Sequence, residues 1–257
     1  MIITDTHIHL YSKEFDTDRD ELVKTAMDKG VQRFFLPNID FDSVDPMFAL
    51  THKYPQNCFA MLGLHPCYIT ANCTDQLTQM EKLIDAHRKE IYAIGEIGLD
   101  FYWDTTYVKE QEVAFIKQIH WASELNLPIA IHSRNATDEI IAILQQHHHL
   151  NLRGVFHCYS GQPSQAQQII DMGFYLGIGG VVTFKKAGLD VDMQTIDLKH
   201  VILETDGPYL APTPYRGKRN EPSYIVMVVQ RIAEIKNISV EEVAQITTEN
   251  SRQLFGI

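Results

Sequence analysis

Two histidines one residue apart, His7 and His9, follow the first apolar run of the chain. Alternate residues of a β-strand point the same way, so both imidazoles can bind one metal ion. Alone, such a pair is equally consistent with a structural role. Further metal-binding side chains follow other apolar runs at the same relative place, and these are Glu96, His132, His157 and Asp206. Imidazole and carboxylate donors together predict a site for divalent metal ions.

Each of these side chains also has a structural alternative. A single histidine after a strand, such as His132 or His157, can be a hydrogen-bonded core residue. Glu96 can be a buried carboxylate paired with Arg134, since an unpaired buried charge is costly. Asp206 can cap the turn that follows it. We favour the metal site because residues of this kind recur at so many strand ends.

The elements that hold these residues follow from the apolar pattern. Short apolar runs of strand length alternate with longer stretches of helical period, which is typical of βα units and a parallel sheet. The predicted strands cover 1–8, 31–36, 57–64, 91–97, 128–132, 154–157, 175–178 and 201–204. Predicted helices include 20–28, 77–88, 107–124, 137–146 and 164–172. Ser239 followed by Glu242 is a capping-box pattern that predicts one further helix, which runs to Phe255.

Eight such units predict a single (β/α)₈ barrel, the TIM barrel, as one domain over residues 1–257 with an extra C-terminal helix. An open doubly wound sheet is the alternative, but it usually carries a glycine-rich phosphate loop after its first strand. Here that strand leads directly into the segment from Asp5 to His9. Barrels of this class carry their chemistry at the carboxyl ends of the strands, where the candidate ligands lie.

Composition limits the class of protein. The net charge of −11 argues against a protein that coats nucleic acid non-specifically, but not against an enzyme whose positive potential is confined to a cleft. No apolar run reaches the roughly 18 residues that a membrane span needs. The first residues lack the pattern of a signal peptide, and the four cysteines form no CxxC pair. We therefore expect a cytoplasmic protein with reduced thiols, a monomer without an obligate protein partner.

Several segments together resemble the TatD family of metal-dependent deoxyribonucleases. The resemblance is carried by residues 5–10, 63–66, 95–100, 132–134, 157–161, 204–206, 215–222 and 250–255. The segment around Tyr215 is specific to that family, whereas His-x-His is shared with the wider amidohydrolase superfamily. Gly207 departs from the family pattern, in which a small residue such as alanine is expected, and this changes no ligand.

The resemblance implies a barrel with two metal ions that acts as a deoxyribonuclease and trims the 3′ ends of DNA. By this analogy one ion is held by His7, His9 and Asp206, the other by His132 and His157, and Glu96 bridges the two. Many amidohydrolases use a carboxylated lysine on strand four as the bridge. The segment 91–100 contains no lysine, so Glu96 is the candidate there. Imidazole-rich ligation suits Zn²⁺ or Mn²⁺, while cellular nucleases often use Mg²⁺.

In the expected reaction, Asp206 acts as general base and Glu96 positions the ions and the water. His65 has a substrate contact and a structural role as equal alternatives. The basic side chains expected to hold phosphate are Arg134, Arg216 and Arg219, with Lys185, Lys186 and Lys218 as weaker candidates. The alternative is a solvated or internally paired loop.

Two aromatic residues and a histidine run also invite functional interpretations. Tyr102 and Trp103 follow strand four, where they either stack on a base or pack under a loop. The run 147–149 is all histidine, but it lies where a helix ends, so we favour interaction with the helix dipole over metal binding.

Two other functions remain open from sequence. One is an amide or ester hydrolase built on the same metal site, including a deacylase that acts on aminoacyl-tRNA. The other is a barrel that binds a metal or a partner without catalysis, which the complete ligand set disfavours.

Overall fold

The computed structural model describes residues 1–257, and its centre is a sheet of eight parallel strands ordered β1 to β8. The strands are β1 Ile3–Asp5, β2 Val31–Pro37, β3 Cys58–Met61, β4 Ile91–Asp100, β5 Ile129–Arg134, β6 Gly154–Phe156, β7 Tyr175–Ile178 and β8 Val201–Leu203. The α-helices are α1 Arg19–Asp28, α2 Val44–Lys53, α3 Cys73–His87, α4 Val108–Leu125, α5 Thr137–Gln146, α6 Pro163–Asp171, α7 Leu189–Asp192, α8 Ile225–Lys236 and α9 Val240–Phe255.

Backbone hydrogen bonds bring the last strand beside the first. The amide of Thr6 donates to the carbonyl of Leu203 at 2.9 Å, and the amide of Asp206 donates to the carbonyl of His7 at 2.9 Å. With helices between successive strands, this nearly closed sheet is a TIM barrel, as predicted. The closure places the residues after β1 next to those after β8.

The interior of the barrel is filled by side chains. A cluster of nine buried residues combines interior-facing positions of six strands with the end of the last helix. Phe255 of α9 stacks on Phe35 of β2 at 4.0 Å between ring centroids, and Phe35 stacks on Phe59 of β3 at 5.1 Å. The extra C-terminal helix predicted from sequence therefore completes the packing of the barrel interior. A larger cluster packs the other strand faces against the surrounding helices.

Element bounds differ from the predicted ones mainly next to the site. The first strand is short, because after Asp5 the chain leaves regular pairing and turns its polar residues into the barrel mouth. By contrast β4 and β5 extend further than predicted, to Asp100 and Arg134. The last helix is capped as predicted, since the hydroxyl of Ser239 accepts from the amide of Glu242. No helix is both long and apolar enough to cross a membrane.

Candidate metal centre

Glu96 lies at the centre of the site, in the middle of β4, with 2% of its surface exposed. One of its oxygens, Oε2, faces the two histidines that follow β1. It lies 3.2 Å from Nε2 of His7 and 3.7 Å from Nε2 of His9. The His-x-His pair therefore shares one oxygen of the buried carboxylate.

The other oxygen of Glu96, Oε1, faces a second group of histidines. It lies 2.9 Å from Nδ1 of His132, 2.9 Å from Nε2 of His157 and 3.3 Å from Nε2 of His65. His132 lies in β5, His157 follows β6 and His65 follows β3. The carboxylate thus divides the surrounding imidazoles into two groups, one on each oxygen.

Asp206, which follows the last strand, β8, completes the first group. Its Oδ1 atom lies 3.5 Å from Nε2 of His9 and 4.0 Å from Nε2 of His7. All six predicted ligands therefore converge, although they come from both ends of the chain. Three sets of donors are close enough to hold an ion: His7, His9 and Glu96; His7, His157 and Asp206; His65, Glu96 and His132.

Hydrogen bonds indicate which ring nitrogen is free in His9, His132 and His65. Nδ1 of His9 lies 2.9 Å from the hydroxyl of Tyr11, which itself donates to the carbonyl of Pro37. Because the hydroxyl hydrogen is used there, the Tyr11 oxygen accepts from Nδ1 of His9. The neutral ring then keeps its lone pair on Nε2, the atom that faces Glu96 and Asp206.

A carboxylate orients His132 in the same way. Oδ2 of Asp100 lies 2.8 Å from Nε2 of His132. A carboxylate only accepts, so Nε2 carries the proton when the ring is neutral, and the lone pair on Nδ1 then points at Glu96, as a metal ligand requires. Nδ1 of His157 faces Oε1 of Glu204 at 3.5 Å but makes no hydrogen bond, so Glu204 acts on this ring through its charge alone.

His65 is oriented oppositely. Its Nδ1 atom accepts a hydrogen bond from the amide of Cys67 at 3.1 Å. Burial lowers the pKa of His65 to about 4, so the ring is neutral near pH 7 and carries its proton on Nε2. That N–H faces Oε1 of Glu96 across 3.3 Å without forming a hydrogen bond, so His65 is oriented as a free donor rather than as a ligand.

The two central carboxylates are ionised. Burial raises the pKa of Glu96, but the imidazoles of His157, His65 and His7 outweigh burial and hold this pKa well below its ordinary value. Burial also raises the pKa of Asp206, and His9 and its neighbours more than reverse the effect. Two anionic carboxylates, Glu96 and Asp206, surrounded by the imidazoles of His7, His9, His132 and His157 are a donor set that fits divalent cations once those cations displace the imidazole protons. The residues present therefore fit the expected metal.

The metal centre opens into a cavity of about 1290 Å³. Arg134, Arg216 and Lys218 line it. The guanidinium of Arg134 lies 4.1 Å from the ring centroid of Tyr102, and that of Arg216 lies 4.5 Å from the centroid of Phe184. Neither arginine joins an ion pair; the paired arginines are Arg19, Arg219, Arg231 and Arg252. Two guanidiniums without an ion-pair partner therefore line the cavity, and the ammonium of Lys218 lines it with them.

Arg219 does not join them. Its guanidinium makes two hydrogen bonds to the carboxylate of Asp18, at 2.9 and 2.6 Å, and one to the carbonyl of Glu14. It does not line the cavity. The expectation that Arg219 contacts substrate is therefore corrected: its charge is neutralised by Asp18 and Glu221, and it braces the loop.

Other sequence candidates lie away from the site. Lys185 and Lys186 are exposed and do not line the cavity. In the histidine run, Nδ1 of His147 lies 2.9 Å from the carbonyl of Ile143, and Nδ1 of His148 lies 3.0 Å from that of Gln145. These contacts satisfy carbonyls at the end of α5, in agreement with the structural interpretation.

Comparison with known proteins decides the family. The family described as TatD related DNase matches residues 4–256. The chain belongs to the TatD family. Members similar along their whole length include the metal-dependent hydrolase YabD of Bacillus subtilis, which is 38% identical over 100% of both chains. The 3′-5′ ssDNA/RNA exonuclease TatD of Escherichia fergusonii is 33% identical over 98% of each.

Solved structures agree with this assignment. The TatD homologue YjjV of Escherichia coli superposes with a TM-score of 0.92 at 26% identity, covering 99% of this chain and 98% of that one. A phosphotriesterase homology protein of Escherichia coli superposes with a TM-score of 0.72 at 17% identity, covering 98% of both, and shows a shared fold. The protein is thus a metal-dependent hydrolase of the TatD family.

Sequence reasoning missed three residues of this TatD centre: Tyr11, Asp100 and Glu204. Tyr11 and Asp100 each hold a candidate ligand histidine through its outer ring nitrogen, and Glu204 lies 3.5 Å from the outer nitrogen of His157. The sequence did carry a signal for the two acids. Asp100 is the last residue of β4, and Glu204 lies two residues before Asp206. Tyr11 carried no comparable signal, since a tyrosine two residues after a histidine is ordinary.

Proposed function

We propose that this TatD-family hydrolase cleaves phosphodiester bonds of DNA, trimming strands from the 3′ end with two divalent ions. The observation that carries the proposal is the pair of unpaired guanidiniums, Arg134 and Arg216, at the mouth of a metal-binding cavity. On a chain with a net charge of −11, guanidiniums that line a cavity without an ion-pair partner favour an anionic substrate. The exonuclease name of the Escherichia fergusonii relative supports the same substrate class.

In this proposal His7, His9 and Asp206 hold one ion, and His132 and His157 hold the other. Glu96 would serve both ions, because its two oxygens face different groups of histidines. Bound divalent ions supply Lewis acidity, which polarises a phosphoryl oxygen and makes a water molecule more acidic at neutral pH.

Asp206 is the proposed general base. Its carboxylate is ionised, 9% exposed and lines the cavity, so it can take the proton of a water molecule that attacks phosphorus. The bond between phosphorus and the 3′-oxygen of the neighbouring nucleotide breaks, and that oxygen takes a proton from solvent.

Three side chains hold the phosphate in the proposed reaction. His65 offers its Nε2–H to a phosphoryl oxygen, since its other nitrogen is already occupied by the amide of Cys67. Arg134 and Arg216 stand further out, where they can neutralise phosphates on either side of the reacting one. Stacking on aromatic rings orders both guanidiniums without neutralising them.

The decisive experiment is incubation of the protein with end-labelled single-stranded DNA and Mg²⁺, Mn²⁺ or Zn²⁺, beside a panel of amide and ester substrates. We expect stepwise shortening from the 3′ end that requires metal, is abolished by a chelator, and releases 5′-mononucleotides. Intact DNA together with metal-dependent hydrolysis of an amide or carboxylic ester, including aminoacyl-tRNA, would contradict the proposal and identify the alternative hydrolase.

A further inference from the structure

The exposed aromatic side chains of the protein are gathered around one cavity. Among its large exposed hydrophobic residues four are aromatic: Tyr68, Tyr102, Trp103 and Tyr209. Tyr68, Trp103 and Tyr209 line the cavity of the metal centre, and Tyr102 packs against Arg134, which also lines it. Solvent-exposed aromatic surface is unfavourable, so its confinement to the mouth of one site indicates a ligand with planar rings.

Trp103 is the most exposed of the four, at 69%. Its ring meets that of Tyr102 edge to face at 5.0 Å, and the guanidinium of Arg134 lies 5.4 Å from its centroid. The indole therefore has a cation beside it and most of its surface in water. A planar ring attached to an anionic group fits both features at once.

The segment with Tyr102 and Trp103 is hydrogen-bonded to Asp100, a residue of the metal centre. Oδ1 of Asp100 accepts hydrogen bonds from the amides of Tyr102 and Trp103, at 2.8 and 2.9 Å. The other oxygen of Asp100 holds the ring of His132. One buried carboxylate thus fixes the position of the aromatic pair relative to His132. Aromatic residues that only pack under a loop would not need such a connection to the site.

We propose that Trp103, together with Tyr102 and Arg134, forms a base subsite that stacks one unpaired nucleobase of the substrate strand. Arg134 binds the phosphate of the same or the adjacent nucleotide. This inference rests on the proposed function and deepens it by naming the residues that receive a base of the substrate. Stacking needs an open ring face, so a paired base in a duplex cannot enter, while any of the four bases can.

The chain provides its own reporter for this contact. It has two tryptophans, and Trp121 is buried in α4 with its indole N–H bonded to Glu81 at 2.7 Å. Trp103 is therefore the tryptophan that solutes reach. A base stacked on it will quench its fluorescence, whereas a sugar-phosphate without a base will not.

The test compares a single-stranded oligonucleotide with one that carries tetrahydrofuran abasic residues in its last two 3′ positions. With chelator present to prevent cleavage, we expect the first oligonucleotide to quench wild-type fluorescence and the second to leave it nearly unchanged. With metal present, Trp103→Leu should raise KM for the normal strand on the order of 10-fold. Trp103→Phe keeps an aromatic ring, so its KM should stay close to the wild-type value. Neither substitution should change KM for the abasic strand.

Val113→Ala is the matched control, because Val113 is an exposed apolar residue of α4 outside the cavity. It should leave quenching, KM and melting temperature unchanged. An equal effect of Trp103→Leu on both strands, or no effect on either, overturns the base subsite. If the oligonucleotide quenches Trp103 fluorescence but no strand is cleaved, the base subsite stands and the proposed reaction is rejected. If strands are cleaved but the effect of Trp103→Leu on KM does not depend on the bases, the reaction stands and the subsite is rejected.

Discussion

Asp100 accepts a hydrogen bond from Nε2 of His132 at 2.8 Å, and this contact turns the other ring nitrogen of His132 toward Glu96. Asp100 itself is fully buried and outside the set of predicted ligands. The pair shows how the site is built: residues that face Glu96 are themselves held by residues further out.

Asp100→Asn should weaken metal binding on the second side of Glu96. The amide carries no charge and holds the imidazole less firmly, so metal affinity should fall roughly 10- to 100-fold. Calorimetric titration with Mn²⁺ or Zn²⁺ measures this. Asp104→Asn, on an exposed aspartate of the neighbouring loop, serves as control. Equal affinities of Asp100→Asn and wild type would exclude the positioning role.

Glu96→Gln should prevent simultaneous loading of two ions. The amide offers one weak oxygen donor and no negative charge, whereas the carboxylate faces both histidine groups. Elemental analysis after saturation and desalting should find about two ions per wild-type chain and fewer than two in the variant. A structure of the metal-loaded protein in which Glu96 contacts no ion would contradict the bridging role.

Asp206→Asn should keep the fold and lose most turnover. The change preserves size while it removes the proposed base and one anionic donor, so kcat should fall about 10²- to 10⁴-fold. The measurement is made at saturating metal, which separates lost catalysis from lost binding, and circular dichroism checks the fold. If kcat stays near the wild-type value, another group accepts the proton.

Arg134→Gln and Arg216→Gln should each raise KM for DNA and flatten its dependence on salt, because each removes a phosphate contact. Metal content should not change. Arg219→Gln should behave differently, since its guanidinium is bound to Asp18: unchanged KM, with a loss in unfolding free energy of about 1 kcal/mol or less. A KM effect of Arg219→Gln that equals the other two would contradict this division.

Metal affinity should increase as pH rises through neutrality. Burial lowers the pKa of His132 and of His157, but Asp100 and Glu96 reverse the effect at His132, and Glu96 and Glu204 do so at His157. Both pKa values therefore end above the ordinary one in the metal-free protein. A cation must displace these protons, so affinity should be lower near about pH 6 than about pH 8, with proton release in weak buffer. A pH-independent affinity without proton release would contradict this.

The sequence by itself determined the barrel and the six converging donors, His7, His9, Glu96, His132, His157 and Asp206. Strand and helix periods are local properties of the chain, and the parallel barrel gathers every strand end at one mouth. Residues placed at those ends are brought together whatever the details of packing. That is why ligands almost two hundred positions apart could be grouped before their distances were known.

Only the tertiary structure decided the partners of individual side chains. Arg216 and Arg219 are three residues apart, yet one stands free over Phe184 and the other is neutralised by Asp18, about two hundred positions earlier. Likewise, the orientation of His65 as a donor depends on a single backbone amide, that of Cys67. Such contacts depend on the packing of loops, whose course no local periodicity determines, and they separate the residues that can meet a substrate from those that hold the protein together.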